Sequence, residues 1–488
     1  MRTYQATDDR QYYISGALAD FLKKNPVYYS IPMEEWNTCW VTDMSYWFAD
    51  MEQIPDISKW DTSSVINMDY MFAGYRGVLP DISRWNTSNV KSMRGIFQSS
   101  DIKKININNW DTRNVEDMGY AFRYCHRIRT IVLNSWNTNN VQTMEAMFEG
   151  CSLLDNLRIE RWTTAKVRNT RAMFSACGSL KEINMSNWKF TWNEDISYMF
   201  RSCHHVKTII FPKTKTVVLQ RMEHAFDCCE WLEILDWPEI YVREVVDMSF
   251  LFHRCLSLRE IDLSQFRTNK VTSFESCFDS CQNLVRIDLS QFRTRLCVDF
   301  TRMFAECCEL TYIDCSTFET KKVNTMQEMF SECSNLLKVD ISSFNTKEVT
   351  TISGMFSRCC SLAEIDVSNF NTQEVTDMTF AFNGCSSLVK LDLSNWIITP
   401  SCMSYYLCKG CTSLVELKLP RLAKKACIGF STIDECPALL KKNQKLVESF
   451  EIHDVNYTVQ ENPLFEGVLY IFQDDAPYIN GGDDEDDN

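Results

Sequence analysis

A phenylalanine recurs at a nearly fixed step along most of this chain: Phe48, Phe72, Phe97, Phe122, Phe148, Phe174, Phe200, Phe226, Phe252, Phe278, Phe304, Phe330, Phe356 and Phe382, with Cys408 in the next place. The first intervals are 24, 25 and 25 residues, and every later one is 26. The length of 488 residues alone would suggest several globular domains, but self-similarity kept for so long argues for one repeat array. A single unit cannot bury its own apolar face, so neighbours must stack around a continuous core.

Within a unit the apolar spacing predicts the local structure. Around Phe330, the residues Val323, Met326, Met329, Phe330 and Cys333 fall three and four apart, as on one face of a helix of about three turns. Thr320 stands where it can cap the first turn. Thr38, Thr62, Thr87, Thr112, Thr138, Thr164, Thr268, Thr294, Thr346 and Thr372 hold the same place. Val339 and Ile341 then alternate as in a short half-buried strand. Ser342 and a large aromatic, Phe344, close the unit; Trp60, Trp85, Trp110, Trp136 and Phe370 are its counterparts elsewhere.

The expected fold is therefore α/β: a leucine-rich-repeat-like solenoid of about fifteen helix-turn-strand coils with terminal caps. Residues 1–30 are expected to form the N-terminal cap, with an amphipathic helix over 14–25, and residues 31–419 the solenoid. Residues 420–479 are expected to form the C-terminal cap, with a covering segment at 432–450 and a strand-like one at 462–479. Residues 480–488 read as a solvated acidic tail.

The consensus W/F-[ND]-T-x-x-V-x-x-M-x-x-M-F-x-x-C-x-x-L-x-x-I-D-L-S resembles the 26-residue BspA-like bacterial-surface-protein repeat. That leucine-rich-repeat-type family occurs in mycoplasma surface lipoproteins, other bacteria, some protists and large amoebal viruses. The resemblance covers roughly residues 31–419. It implies a solenoid used for binding and adhesion, with no shared catalytic residues. Surface members carry a signal peptide or a lipid-attachment cysteine. Here the first residues lack an apolar h-region, and no stretch approaches the ~18 apolar residues of a membrane span.

Twelve of the 23 cysteines keep the same register: Cys125, Cys151, Cys177, Cys203, Cys229, Cys255, Cys281, Cys307, Cys333, Cys359, Cys385 and Cys411. Catalysis needs one special thiol rather than twelve alike, so they are expected to be reduced core filler. Cys408-x-x-Cys411 has zinc-like spacing, but Cys411 is the last rung and Cys408 stands in the phenylalanine place, which favours a core substitution. The six histidines (His126, His204, His205, His224, His253 and His453) show no ligand spacing. No P-loop, GxGxxG, HExxH or GxSxG occurs. The expectation is no enzyme, no catalytic residue, no metal site and no cofactor.

Charge is uneven. Residues 101–225 carry 18 Lys and Arg against 12 Asp and Glu, whereas the whole chain has a net charge of −15. Arg201, His204, His205, Lys207, Lys213, Lys215 and Arg221 cluster against Glu223 alone. Without interleaved aromatics and in an acidic chain, this reads as a solvated face rather than a nucleic-acid site. Nearby the motif also breaks, with Phe190 and Val242 at threonine places and Thr214 and Ile240 at aromatic places.

Later units set an aspartate on the outward strand position: Asp236, Asp262, Asp288, Asp314, Asp340, Asp366 and Asp392. One reading is an Asx turn with the following serine, the charge offset by Arg286, Lys338 and Lys390. The other is an acidic strip for a basic partner. Beside it run Val285, Thr311, Leu337, Ala363, Val389 and Val415, with Tyr312 adjacent. This stripe is either an interface anchor with a polar rim or core tucked beneath a turn. The candidate partner-binding residues are the seven aspartates with Tyr312, Leu337 and Val389. The function expected is a non-enzymatic protein–protein interaction scaffold, cytoplasmic or within a virion, with a protein partner of unknown identity. No nucleic acid and no membrane insertion are expected; the alternative is a surface adhesin exported without a recognisable signal.

Overall fold

The structure is a computed structural model, described over residues 2–5, 11–14, 16–189, 194–212, 217–236, 240–424, 426, 428–442, 457–461 and 469–473. Two units are present: Met1–Val245 with Leu251–Leu258, and Val246–Phe250 with Arg259–Asn488. In each, the repeat closes into stacked parallel coils. In the first unit a ladder of single-residue parallel bridges runs Asp43, Asn67, Ser92, Asp117, Thr143, Asn169, Asp195, Arg221. The second has its own, through Asp247, Ser273, Asp299, Thr325, Thr351, Asp377 and Met403.

Among the described residues no coil has its predicted helix; a run of tight turns replaces it. Around Phe330, the N–H groups of Met329, Ser331 and Cys333 bond the carbonyls of Met326, Glu328 and Phe330, three residues back rather than four. The N–H groups of Met326, Glu328, Phe330 and Glu332 leave the coil and bond Thr351, Ser353, Met355 and Ser357 at 3.1, 2.8, 2.9 and 2.6 Å. Glu328 and Glu332 have φ of 52° and 61°, the left-handed region that a turn of type II demands at its third residue. Half the backbone donors of this segment are thus satisfied only by the next coil. The apolar spacing is kept and the helix is not, so the α/β reading is corrected to a β-solenoid with few helices.

The strands are short. In the first unit a hairpin pairs β1 (Arg2–Gln5) antiparallel with β2 (Gln11–Ile14), and helix α1 (Gly16–Lys24) follows. β3 (Thr130–Val132) pairs in parallel with β4 (Asn156–Arg158). β5 (Glu182–Asn184) and β6 (Thr208–Ile210) form a parallel sheet with β8 (Ile234–Asp236), while β7 (Val217–Val218) pairs with β9 (Ile240–Tyr241). In the second unit β10 (Tyr312–Asp314) pairs with β11 (Lys338–Asp340), in register Tyr312 to Lys338 and Asp314 to Asp340. Likewise β12 (Lys390–Asp392) pairs with β14 (Glu416–Lys418), and β13 (Ile397–Ile398) with β15 (Arg421–Leu422). An antiparallel sheet of β16 (Ile428–Gly429), β18 (Leu469–Gln473) and β17 (Tyr457–Glu461) and a short helix α2 (Pro437–Lys442) follow.

Helix α1 buries Leu18, Ala19 and Leu22, and its Phe21 ring centroid lies 4.6 Å from that of Trp47. Of the expected C-terminal segments, residues 443–450, 462–468 and 474–479 lie outside the described residues, as do the tail at 480–488 and the motif-breaking Phe190 and Thr214.

Register fixes the core. Phe304, Phe330 and Phe356 are fully buried and stack at 5.8 and 5.3 Å between ring centroids. The threonines expected to cap helices instead join coils. Buried Thr320 donates its hydroxyl to the Asn345 carbonyl at 2.9 Å and accepts the Asn345 N–H at 2.7 Å. The indole of Trp136 donates to the Ile107 carbonyl one coil back at 2.9 Å. Where phenylalanine takes that place, the preceding residue can supply the donor: Ser343 bonds Cys315 and Asn369 bonds Ile341, both at 3.0 Å.

The ladder cysteines also do more than fill space. Cys333 donates its thiol proton to the Phe304 carbonyl at 3.0 Å, and Cys125, Cys177 and Cys359 make the same bond to Phe97, Phe148 and Phe330 at 3.0–3.1 Å. The described cysteines are free. Burial pushes the Cys125 and Cys203 thiols up to about 12, which keeps them protonated donors. A thiol reagent is therefore expected to react quickly at exposed Cys39 and Cys360 and slowly at the rungs. Unfolding without reductant should release all 23 thiols; a shortfall would show disulfides.

Candidate functional site

Of the predicted site residues, Asp236, Tyr312, Asp314, Asp340 and Asp392 lie in strands β8, β10, β11 and β12, Leu337 and Val389 immediately precede β11 and β12, and Asp262, Asp288 and Asp366 hold the same repeat position without a strand. In the second unit Asp262, Asp288, Asp314, Asp366 and Asp392 are exposed and Asp340 is half-buried; Asp236 is exposed in the first. Six of these aspartates spend one carboxylate oxygen locally. Asp262, Asp288, Asp314, Asp340, Asp366 and Asp392 accept the N–H of the serine two residues on at 2.9–3.1 Å. This is the Asx turn that the Asp-x-Ser spacing predicts. These bonds hold the carboxyls of Asp288, Asp340 and Asp366 below their usual range. Asp392 is lowered to about 2, first by Lys418 and then by Ser394.

The charge offset follows expectation at Lys338, which after Ser342 helps to lower the carboxyl of its own Asp340, and differs at the other two positions. Arg286 pairs with Glu260 at 2.5 Å and Lys390 with Glu416 at 3.1 Å, across coils rather than with their own aspartates. Lys418 pairs with Asp392 at 2.6 Å. The β12–β14 register, Lys390 opposite Glu416 and Asp392 opposite Lys418, makes these cross-strand pairs. Asp314 and Asp340, by contrast, face each other directly. They concentrate negative charge in the middle of the row.

The apolar stripe beside them is open. Leu337 is 60 % exposed, Tyr312 46 %, Val285 44 % and Val389 40 %. The core alternative for this stripe is thereby overturned at these positions. In the first unit Arg129, Asp155, Lys207 and Glu233 hold the equivalent place and pair with one another, Arg129 to Asp155 at 3.6 Å and Lys207 to Glu233 at 3.0 Å. These positions form ion pairs there, where the second unit has the exposed Val285, Leu337 and Val389.

The basic cluster is neutralised by neighbouring coils. Arg201 meets Asp227 at 3.2 Å, Arg221 meets Asp195 at 2.7 Å, Lys207 meets Glu233, and His204 lies 3.8 Å from Glu230. Linear reading saw only Glu223 because the partners sit one coil away. Lys213 and Lys215 lie outside the described residues.

One cluster escaped the sequence reading. Asp227, almost wholly buried, accepts His253 Nδ1 at 2.8 Å and Cys228 Sγ at 3.2 Å on Oδ1, and His224 Nδ1 at 2.9 Å and Arg201 Nε at 3.2 Å on Oδ2. Burial alone would raise its pKa, yet the hydrogen bonds of His224 and His253 outweigh that and hold the carboxyl far below the usual range. Burial and the Asp227 charge push the Cys228 thiol up to about 12. The signal was available: His253 follows Asp227 by one 26-residue period. Cys408 and Cys411 form no comparable grouping with a third ligand among the described residues. Cys411 instead bonds the Phe382 carbonyl as a ladder rung at 3.1 Å.

Residues 19–132, 97–213, 220–336 and 298–416 each match the family described as "Mycoplasma protein of unknown function, DUF285". The chain belongs to this family. The match agrees with the BspA-like repeat resemblance and spans both units of this DUF285 protein. Comparison with curated proteins found no match. Among solved structures, it is similar to a leucine-rich-repeat protein of Leptospira interrogans at 11 % identity, covering 71 % of this chain and 95 % of that one, with a TM-score of 0.23. It is also similar to a chain of the Toll–Spätzle complex of Drosophila at 14 % identity, covering 72 % of this chain and 55 % of that one, with a TM-score of 0.18. At such TM-scores the backbones do not superpose as wholes, and neither likeness bears on what this DUF285 protein binds. No described helix is long and apolar enough to cross a membrane.

Proposed function

We propose that this chain is a non-enzymatic protein–protein interaction scaffold of about fifteen coils, acting in the cytoplasm or within a virion. The observation that carries the reading is the exposed stripe of Val285, Leu337 and Val389 with Tyr312, flanked by the aspartate row. Apolar anchors beside a charged rim are the anatomy of a binding surface. The directly facing Asp314 and Asp340 favour a partner that brings basic side chains to meet them. A repeat protein suits this role because each coil adds one more row to the same face.

Leu337→Lys with Val389→Lys tests it. Both sites are exposed, so the melting temperature is expected to stay put, surface changes usually lying within about 0.5 kcal/mol. Proteins retained by the wild-type chain and lost by the double variant identify the partner; retention by both places the binding surface elsewhere. Impermeant labelling of intact cells or particles tests the location, and strong labelling supports the adhesin alternative.

A further inference from the structure

We propose that Asp227, Cys228 and His253 form a binding site for one divalent cation of the zinc type. A carboxylate oxygen, a sulfur and a ring nitrogen lie within 4.8 Å of one another there, all within the first unit. This mixed set suits zinc, which takes thiolate at about 2.3 Å, imidazole at about 2.0–2.1 Å and carboxylate at about 2.0–2.2 Å. Tetrahedral angles at those lengths separate ligand atoms by roughly 3.3–3.7 Å. The present contacts, 2.8 Å between oxygen and nitrogen and 3.2 Å between oxygen and sulfur, need only a small outward movement.

The two carboxylate oxygens divide the work. Oδ1 faces both other ligand atoms, while Oδ2 is held by His224 and Arg201. Outer donors of this kind fix the orientation of a ligating carboxylate. Cys228 and His253 are half-buried over a buried Asp227, so the site opens to solvent on one side and leaves a fourth position for water. On binding, the Cys228 thiol proton passes to solvent, and the proton that His253 Nδ1 shares with Asp227 leaves that nitrogen for Nε2 or for solvent, which frees Nδ1 to ligate. The ligands come from successive coils, so the ion pins one coil to the next. Arg201 places a positive charge nearby, and the four donors on Asp227 satisfy the carboxylate without any ion. The competing account is therefore a plain hydrogen-bonded hub.

Cobalt addition to the metal-free full-length chain separates the two. The site predicts one equivalent of Co²⁺ bound with a thiolate-to-cobalt absorption band and four-coordinate visible bands, both displaced by one equivalent of Zn²⁺. Cys228→Ser should remove the thiolate band, and His253→Gln should weaken binding about ten-fold or more. Cys308→Ser, in the other unit, should change nothing. Circular dichroism and melting confirm that each variant is folded. No thiolate band at stoichiometric cobalt, or a band that survives Cys228→Ser in folded protein, overturns the proposal.

Discussion

Replacing Phe330 by Asp is expected to destabilise the second unit by about 4 kcal/mol or more and to open it locally. Phe330 is fully buried between the rings of Phe304 and Phe356. A carboxylate there loses the apolar burial and gains a desolvated charge, each worth several kcal/mol. Stacked coils touch only their neighbours, so the damage should stay near the substitution. Limited trypsin digestion is expected to cut first at the exposed Lys321, Lys322, Lys338 and Lys347. Simultaneous cleavage along the whole chain would rule out such local opening.

Arg302→Met should also weaken the second unit, by about 3 kcal/mol. Asp279 is almost wholly buried, and Arg302 grips it through Nε at 2.8 Å and Nη2 at 3.1 Å. Among the described residues, the hydroxyls of Ser276 and Ser280 also bond it, at 3.2 and 3.0 Å. Removing the guanidinium strands a buried carboxylate, which is worse than removing both partners. Arg302→Lys should recover part of the loss, since an ammonium cannot make the two-pronged contact. Asp279→Met combined with Arg302→Met should recover more. Urea midpoints at constant slope measure all three. A single variant as stable as wild type would show that the pair contributes nothing net.

The period, the buried phenylalanine and cysteine registers and the buried alternation of Val339 and Ile341 were legible because a repeat prints the same core many times, although the strand β11 stops at Asp340, one residue before Ile341. The turn run was not. Val323, Met326, Met329, Phe330 and Cys333 satisfy a helical face and a chain of turns equally well. What separates them is backbone conformation, and the clue was glycine. Gly74, Gly95, Gly150, Gly354, Gly384 and Gly410 all have positive φ, two residues before or after the register position, where Glu328 and Glu332 stand in other coils. Helix interiors disfavour glycine, and its return at those two places signals left-handed turns. The exposure of Leu337 was undecidable from spacing, because alternation gives the face and not what covers it. The Asp227 cluster was missed because ligand motifs were sought along the chain rather than one coil across.

The turn run has an electrical consequence. In an ordinary sheet successive peptide groups point opposite ways and their dipoles cancel. Here Met326, Glu328, Phe330 and Glu332 all send N–H groups toward the following coil, and Thr351, Ser353, Met355 and Ser357 return carbonyls to them. Ile352, Gly354, Phe356 and Arg358 then repeat the gesture toward the next coil. Dipoles aligned in this way add, as they do along a helix, so this face of the second unit has a positive pole toward its later coils. The last donors there, on Cys408 and Gly410, meet the carbonyls of Thr432 and Asp434, and the acidic side chains of Asp434 and Glu435 lie close by at Lys409. The ladder thus closes on two carboxylates, shared with Lys409, beside its own positive pole.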